Sequence, residues 1–436
     1  MDYQNTLDFA AQLDEQDQLK DFQLQFLIPQ HKGKDAIYFC GNSLGLQPKV
    51  AKQCINDQLN NWKDLAIEGF FQGDEPWLDY HKKLIPILAD IVGGKNDEVS
   101  IMNSLTVNLH LLMVSFYKPS QKRFKILMEG GAFPSDQYAI ASQVAFHGYE
   151  SKEAIIEVLP RTGEHASRTE DILQTIKDHA DELALVLFGG INYFTGQLFD
   201  IEAITKTGHK AGAIVGFDLA HAAGNVPLKL HDWNVDFACW CSYKYMNSGP
   251  GGIGGIFVNE RHFNNQSLNR FSGWWGYRQD KRFLMSPNFQ AEQGAAGWQL
   301  STSPVILLAL HKAALNIFEQ AGGMVPLRAK SELLTGYLEF LILEINKSRG
   351  EEVFKIITPG DKAARGCQLS IVCKRNAKAI FYYLTGNGVI GDWREPNVIR
   401  LSPVPLYNSF KQIFEAGLIL AASIAENALN STNFKD

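Results

Sequence analysis

Lys244 and Asp218 are the two residues of this sequence whose surroundings best suit chemistry. Lys244 follows an apolar run at residues 237–242, lies among aromatic side chains, and precedes the glycine-rich residues 249–254. Exclusion of water at such a position favours the neutral amine that forms a Schiff base with an aldehyde. Asp218 ends an apolar run of its own. Pyridoxal phosphate requires an amine for its aldehyde and a carboxylate for its pyridine nitrogen, so the pair predicts an enzyme with this cofactor.

The bulk composition is that of an ordinary soluble protein. The chain has 436 residues, of which 45% are apolar and 20% charged, and its formal net charge is −6. This length predicts two lobes, and the scattered basic residues predict neither a nucleic-acid partner nor binding to an anionic membrane. The N-terminal residues have no apolar core, so we expect no signal peptide and a cytoplasmic protein. The longest apolar runs are too short to span a bilayer.

The cysteines indicate neither disulfides nor a metal site. Six cysteines, at positions 40, 54, 239, 241, 367 and 373, occur in a long chain without a secretion signal. This usage is typical of reduced thiols in the cytoplasm. Cys239 and Cys241 alternate along a predicted strand and lack further ligands at zinc spacing, so no metal is predicted.

Short apolar runs alternate with helical patterns between about residues 98 and 259. The apolar runs lie at 125–128, 153–158, 183–188, 213–218, 237–242 and 255–258, and the helical patterns at 106–117, 136–146, 169–179 and 201–211. This alternation predicts an α/β fold with a mostly parallel sheet covered by helices on both faces.

The two chain ends predict a smaller α+β domain. Residues 7–26 have a helical pattern, 36–40 an extended one, and a second helix begins near Pro48. The C-terminal part has a helical stretch from 305 to about 346, strand-like segments near 354–357, 367–373 and 398–401, and a closing helix. We therefore expect an N-terminal segment 1–60 that joins the small domain, a large cofactor-binding domain 61–325, and a C-terminal small domain 326–436.

Three further segments suit a flat, anionic ligand. Residues 104–108 open a predicted helix, whose free N–H groups and dipole favour a phosphate, although an ordinary helix cap is the alternative. Phe133, between a predicted strand and helix, can stack on a planar ring, or it can belong to the core. Arg400 is a lone arginine in the apolar residues 398–401. Its guanidinium suits either bidentate binding of a substrate carboxylate or a structural ion pair.

Two familiar signatures fail in their context. The glycines of residues 249–254 match a dinucleotide-binding pattern, but a strand-like segment follows them where that pattern needs a helix. Gly-Asn-Ser-Leu-Gly at residues 41–45 matches the nucleophile elbow of esterases, with Ser43 as nucleophile. Because it precedes the predicted sheet, its position disfavours a serine hydrolase.

Taken together, six segments resemble the hallmark segments of the kynureninase family, and they occur in the family's order. They include Gly-Phe-Asp-Leu-Ala-His at 216–221 and Asp-Phe-Ala-Cys-Trp-Cys-Ser-Tyr-Lys at 236–244, and the others are residues 41–48, 103–113, 133–136 and 403–410. The resemblance implies an α/β, fold type I (aspartate aminotransferase-like) pyridoxal-phosphate enzyme that forms a homodimer with shared active sites.

The resemblance also implies a reaction. Water would cleave the Cβ–Cγ bond of L-kynurenine to give anthranilate and L-alanine, or that of 3-hydroxy-L-kynurenine to give 3-hydroxyanthranilate and L-alanine. Such a hydrolase of carbon–carbon bonds in ketones serves tryptophan degradation and the de novo synthesis of NAD.

Individual roles follow from the same resemblance. Lys244 matches the Schiff-base lysine, Asp218 the partner of the pyridine nitrogen, and Tyr243 a phosphate contact that is also a candidate proton donor. The other cofactor contacts would come from Leu105, Thr106, the stacking Phe133, Pro134, Ser135, the second acid Asp136 and His221, with Trp274 and Thr302 reaching across the dimer interface. The substrate would be bound by Ser43, Phe70, Thr302 and, through its carboxylate, Arg400.

Two positions depart from the family pattern. Gly189 stands where many members place a serine facing the cofactor, so one hydrogen bond is expected to be missing. Phe70 stands where some members place a histidine beside the substrate ring. An unpaired buried hydroxyl costs on the order of 1–3 kcal/mol, so we expect kynurenine to be preferred and both substrates to be accepted. Thr302 could still pair with the hydroxyl and reduce the difference.

Two other functions are compatible with the lysine and the aspartate. A cysteine desulfurase or related aminotransferase would use the same cofactor, but a desulfurase needs a mobile, exposed cysteine, and Cys367 is the candidate. A catalytically silent cofactor-binding protein is the alternative outside enzymes. The presence of both Lys244 and Asp218 disfavours it, and anthranilate production would separate the three.

Overall fold

The computed structural model describes residues 2–265 and 267–425 of the chain. Within these residues the α-helices are α1 Leu7–Gln16, α2 Ala51–Leu65, α3 Ile85–Val92, α4 Leu105–Phe116, α5 Pro134–Phe146, α6 Ser151–Ala154, α7 Thr169–Asp178, α8 Ile201–Lys210, α9 Val305–Gln320, α10 Met324–Arg349, α11 Ala377–Gly386 and α12 Phe410–Ala422. Short 3-10 helices lie at Lys20–Gln25, Ala66–Phe70, Tyr80–Leu84, Asn96–Glu98, Glu260–His262, Trp274–Gly276, Gln279–Leu284, Gly294–Trp298 and Lys362–Ala364.

The strands form one large sheet and several smaller ones. They are β1 Phe26–Leu27, β2 Gln30–His31, β3 Lys34–Asp35, β4 Ile37–Tyr38, β5 Gln47–Pro48, β6 Val99–Ile101, β7 Lys125–Glu129, β8 Ile155–Val158, β9 Leu183–Gly189, β10 Ile214–Asp218, β11 Phe237–Trp240, β12 Gly255–Val258, β13 Phe354–Ile356, β14 Leu369–Cys373, β15 Val389–Ile390, β16 Asp392–Arg394 and β17 Val398–Leu401. The large sheet has the order β6-β12-β11-β10-β9-β7-β8. The five strands from β11 to β8 pair in parallel, and β12 is antiparallel to both of its neighbours. The predicted mostly parallel α/β sheet is confirmed.

Both faces of this sheet are covered. Along β9, Leu185 and Leu187 belong to one apolar core with residues of α4 and α5, whereas Val186 and Phe188 belong to a second core with residues of α7, α8 and α9. Strands buried on both faces are continuously apolar, which explains the uninterrupted hydrophobic runs in the sequence.

A third core combines residues from both chain ends. Ala10, Leu13 and Phe39 pack with residues of α10 and α12 and with the antiparallel sheet β13-β14-β17-β16. Strand β4 also pairs in parallel with β15. The domain limits 1–60, 61–325 and 326–436 stay a prediction.

The predicted helix over residues 7–26 is wrong in its second half, because α1 ends at Gln16. The carboxylate of Asp17 accepts a hydrogen bond from the Leu19 N–H at 2.8 Å and pairs with Lys330 at 2.7 Å. A side chain that binds the local backbone in this way competes with helix continuation. The chain then turns through a 3-10 helix into β1.

The predicted continuous helical stretch after residue 305 is also wrong. It is divided between α9 and α10 at Gly322 and Gly323, whose φ angles of +82° and +75° suit glycine and stop a helix. The predicted strand 153–158 begins only at Ile155, because α6 occupies the residues before it. Seven short strands of the described residues were not predicted: β1, β2, β3, β5, β6, β15 and β16.

Candidate active site

The candidate site is a cavity of about 330 Å³ at the C-terminal ends of the parallel strands. Glu129, Gly189 and Asp218 end β7, β9 and β10, and Asp218 lies beside Gly189 in the sheet register. Ligands of open α/β sheets bind at this edge of the sheet. The cavity is lined by Asn42, Ser43, Ser104, Leu105, Thr106, Glu129, Phe133, Ser135, Asp136, Gly189, Ile191, Tyr193, Asp218, Ala220, His221, Tyr243, Lys244, Arg394 and Arg400.

Lys244 lies on a loop rather than directly after a strand. The predicted strand 237–242 is wrong at its end, because β11 stops at Trp240. The loop is held by a hydrogen bond between the hydroxyls of Ser242 and Ser248 at 2.6 Å. Gly45 packs against it so closely that a Cβ there would lie 2.3 Å from the Lys244 carbonyl oxygen. The close approach of the two segments therefore requires a glycine at position 45.

His221 is the hydrogen-bonding partner of Lys244. The Lys244 Nζ lies 3.0 Å from the His221 Nε2 and 5.8 Å from the centre of the Phe133 ring. Burial, with the nearby Lys244 charge, lowers the pKa of His221 well below its usual value. The imidazole is therefore neutral, and its buried Nδ1 has no hydrogen-bond partner among the described residues.

Asp218 and Asp136 form a pair of facing carboxyls. The Asp218 Oδ1 accepts the Ala220 N–H at 2.8 Å, and its Oδ2 is buried without an N–H or hydroxyl donor in the part of the chain described. Burial raises the pKa of both groups, and the Asp218 charge raises that of Asp136 further. The contact between the two carboxyls raises the pKa of Asp136 and lowers that of Asp218. Of the two, Asp136 therefore keeps a proton more readily.

The cavity also offers an anion site. Ser104 precedes α4 in an extended conformation, and its side chain makes no capping hydrogen bond. The predicted helix start is confirmed, and the N–H groups of its first turn are left for a ligand. The hydroxyls of Thr106 and Ser135 lie 2.8 Å apart at the same place. Pro134 begins α5 beside them.

Arg400 lies at the opposite side of the cavity and is 1% exposed. Its guanidinium donates to the Asp392 carboxylate and to the Tyr193 carbonyl oxygen. The structural ion pair is therefore present, yet the buried Arg400 Nε has no partner among the described residues.

The Ser43 hydroxyl donates to the Asp392 Oδ2 at 2.5 Å and not to a histidine, and residues 41–45 lie outside the large sheet. Both facts exclude the esterase interpretation.

Four predicted residues do not line the cavity within one chain: Pro134, which lies beside it at the start of α5, and Phe70, Trp274 and Thr302. Phe70 packs edge-on against Trp77, Trp274 borders a separate surface cavity, and Thr302 is exposed. Trp274 contacts Phe283, which contacts Phe71, so the aromatic side chains at these positions form one surface. Their roles stay predictions.

Several residues at the site were not singled out from the sequence. Glu129, Tyr193 and Arg394 line the cavity, and Asn192 and Asp392 bind the lining residues Glu129 and Arg400. Glu129 directly follows the predicted strand 125–128, whose carboxyl end lies at the same edge of the sheet as that of Asp218, a signal that could have identified it. Asp392 and Arg394 lie on the unpredicted strand β16, so no comparable signal pointed to them.

These residues fit pyridoxal phosphate. Lys244 offers an amine, Asp218 a carboxyl whose buried Oδ2 has no donor among the described residues, Phe133 a ring that is 42% exposed, and α4 an uncapped N-terminus. Each part of the cofactor has a chemically suitable partner. The amine can bind the aldehyde, the carboxylate the pyridine nitrogen, and the N–H groups the phosphate.

Comparisons with known proteins agree with this fit. The aminotransferase class V family model matches residues 94–357, and the kynureninase C-terminal domain model matches residues 327–420. A kynureninase of Flavobacterium psychrophilum is 55% identical over 98% of this chain and 100% of its own length. A kynureninase of Nematostella vectensis is 46% identical over 97% and 95%.

Two solved structures share the fold at low identity. A cysteine desulfurase of Thermococcus onnurineus NA1 superimposes with a TM-score of 0.72 and 16% identity over 89% of this chain and 94% of that chain. A cystine C–S lyase in complex with cysteine persulfide has a TM-score of 0.74 and 16% identity over 88% and 97%.

Fold and cavity together define a pyridoxal-phosphate-dependent enzyme of the aminotransferase class V fold. Within that class, the sequence identity with kynureninases over nearly the whole chain shows the family. The chain belongs to the kynureninase family and is a hydrolase that acts on carbon–carbon bonds.

The cysteine predicted for the desulfurase alternative is inaccessible in the structure. Cys367 is 1% exposed, and burial raises the pKa of its thiol to about 12. A catalytic cysteine needs an accessible thiolate. Among residues 2–265 and 267–425, no helix is long and apolar enough to cross a membrane.

Proposed function

We propose that this enzyme hydrolyses the Cβ–Cγ bond of L-kynurenine, giving anthranilate and L-alanine, and that it accepts 3-hydroxy-L-kynurenine. The observation that carries the proposal is Lys244 Nζ at 3.0 Å from a neutral His221, in a cavity that also contains the buried carboxyl of Asp218. The kynureninases to which the chain is similar cover nearly its whole length. The reaction would serve tryptophan degradation or NAD synthesis in the cytoplasm.

Lys244 would hold the cofactor aldehyde, Asp218 the pyridine N–H, and Thr106 with the first turn of α4 the phosphate. Pyridoxal phosphate, when bound, supplies an electron sink for the bonds broken at the substrate. Burial raises the pKa of Asp218, and the Ala220 N–H, the Lys244 charge and Asp136 offset part of that rise. In its ionised form Asp218 would keep the ring nitrogen protonated. Phe133 would cover one face of the ring.

Two side chains would move protons. Lys244, once its amine is free, takes the proton from the substrate α-carbon, and the neutral His221 accepts a hydrogen bond from it. Burial raises the pKa of Tyr243 above its usual value, so its hydroxyl stays protonated at neutral pH. Tyr243 can therefore donate to the β-carbon after the acyl group leaves.

Arg400 would bind the substrate carboxylate. Asp392 neutralises and orients the guanidinium before substrate arrives, and the unpartnered Arg400 Nε leaves one donor for the carboxylate. Ser43 would lie beside it, since its hydroxyl lies 3.5 Å from Arg400.

The active enzyme would be a homodimer with shared sites. Trp274 and Thr302 are outside the cavity of their own chain, and the surface around Trp274 exposes Phe71, Phe283 and Met285. Such a patch is typical of a protein interface. When Lys244→Ala and Trp274→Ala subunits are mixed, heterodimers should regain activity that neither parent has. Verified heterodimers without activity would place the complete site in one chain.

A substrate panel tests the proposed reaction. The purified enzyme with cofactor should release fluorescent anthranilate from kynurenine and no sulfide from cysteine. Sulfide without anthranilate would instead support a desulfurase. Absence of both products, with the visible absorption of bound cofactor present, would support a silent binding protein.

A further inference from the structure

Glu129 is a buried carboxyl beside the site that the proposed reaction does not use. It ends β7, is 5% exposed, and borders the cavity together with Asp136 and Asp218. Its Oε1 accepts the Gly189 N–H at 3.2 Å, and its Oε2 accepts the Asn192 side-chain amide at 2.8 Å. Three neighbouring strand ends therefore carry, in order, Glu129, Gly189 and Asp218.

Gly189 leaves room for this carboxyl. A Cβ at position 189 would lie 2.5 Å from the Glu129 Oε1, while its next neighbour, the Ile191 carbonyl oxygen, would be at an ordinary 3.5 Å. Space, and not backbone strain, therefore makes glycine necessary here. Because Gly189 has no side chain, the Glu129 carboxyl can extend across β9 towards Asp218.

Asn192 fixes the orientation of the carboxyl. Its Oδ1 accepts hydrogen bonds from the Phe194 N–H at 3.0 Å, the Thr195 N–H at 2.8 Å and the Thr195 hydroxyl at 3.0 Å. These three donors determine which end of the amide is the oxygen, so its NH₂ group must point to Glu129. Asn192 is therefore held in the orientation that donates to the Glu129 carboxyl.

The hydrogen bonds to Glu129 bring no positive charge. Both donors to Glu129 are neutral amides, and burial, followed by the Asp218 charge, raises the pKa of Glu129 to about 7. A buried carboxyl without a cation is costly, so its presence beside the cavity points to a cationic ligand. The other titratable or charged groups at this end of the site are Asp136, Asp218, His221, Cys239 and Lys244.

We propose that Glu129 is a positioning residue for the cofactor, which acts through Asp218 and strengthens the hold of the site on a protonated pyridine nitrogen. The ionised Glu129 adds a second negative charge behind Asp218. A cationic ring is therefore bound more tightly when Glu129 is ionised, and binding of the ring in turn lowers the pKa of Glu129. This proposal depends on the cofactor and not on the substrate proposed above.

The test measures cofactor affinity without substrate. Cofactor-free protein is titrated with pyridoxal phosphate, followed by visible absorption, at several pH values for the wild type and Glu129→Gln. The Kd of the variant divided by that of the wild type should increase about tenfold between pH 6 and pH 8 as Glu129 ionises. A ratio that is constant over this range would overturn the proposal.

Glu98→Gln is the matched control. Glu98 is buried like Glu129, accepts the Lys95 and Glu260 N–H groups at 2.9 Å, pairs with the His231 Nδ1 at 3.0 Å, and does not border the cavity. Its substitution should leave the ratio independent of pH. An equal pH dependence in both variants would show a general effect of buried acids and would contradict a specific role of Glu129.

A second set of variants does not depend on Glu129→Gln folding well. Gly189→Ala should displace the carboxyl and weaken cofactor binding about tenfold at pH 8, whereas in a Glu129→Ala background the same change should have less than about a twofold effect. Equal effects in both backgrounds would overturn the proposal. Because substrate is absent throughout, failure here with normal kynurenine cleavage would leave the proposed function intact.

Discussion

His311 makes the stability of this enzyme sensitive to mild acid. It lies on α9, is fully buried, and neither ring nitrogen has a hydrogen-bond partner among the described residues. Burial lowers the pKa of its imidazole from 6.5 to about 3. The unfolded chain therefore binds a proton that the folded protein does not. The stabilisation is complete above pH 6.5 and is lost progressively as the pH falls from 6.5 towards about 3.

The magnitude follows from the width of this pH window. One pKa unit corresponds to about 1.4 kcal/mol, so between pH 7 and pH 5 the single histidine reduces the free energy of unfolding by about 2 kcal/mol. His311→Leu removes this proton uptake and fills the same apolar site. It also removes two unpaired buried nitrogens, so the variant should be at least as stable as the wild type at pH 7.

Equilibrium urea unfolding at pH 7 and pH 5 measures this difference. The wild type should lose about 2 kcal/mol more than His311→Leu over this interval. His165, which is exposed, provides the control, and His165→Leu should behave like the wild type. Equal losses in the wild type and His311→Leu would refute the reasoning. A large loss of stability of His311→Leu at pH 7 would refute it too, since the imidazole would then have a stabilising partner.

Two further predictions concern the chain ends and the substrate ring. Lys330 and Asp17 form a buried ion pair at 2.7 Å, with 6% and 5% of their side chains exposed. Lys330→Met should therefore cost about 3–5 kcal/mol in urea unfolding, with partial recovery in a double variant that adds Asp17→Asn, and a cost below 1 kcal/mol would contradict it. Phe70→His should raise the kcat/KM ratio of 3-hydroxykynurenine to kynurenine about ten- to hundredfold. A wild type that already prefers the hydroxylated substrate would show that another residue pairs with the hydroxyl.

The sequence predicted those parts of the site that depend on local pattern. Asp218 ends an apolar run, residues 104–108 open a helix, and Phe133 lies between a strand and a helix, because each signal is contained within a few residues. The mostly parallel sheet followed from continuous apolar runs separated by helical ones. The end of α1 was missed because Asp17 is engaged by Lys330, far away in the sequence.

Long-range contacts also explain what was missed at the site. Asp392 meets Arg400 only because the unpredicted strand β16 pairs with β17. Gly189 was interpreted as a missing hydrogen bond, whereas in the structure its empty space is occupied by the carboxyl of Glu129, sixty residues earlier in the chain. No local pattern reports such a contact.

The central claim is that the cavity around Lys244 cleaves kynurenine. The most direct measurement quantifies anthranilate and alanine from kynurenine for the cofactor-loaded wild type, Lys244→Ala, and the surface control Lys52→Ala. We expect equal amounts of the two products from the wild type and the control, and neither product from Lys244→Ala. Normal anthranilate production by Lys244→Ala, or none by a wild type with bound cofactor, would contradict it.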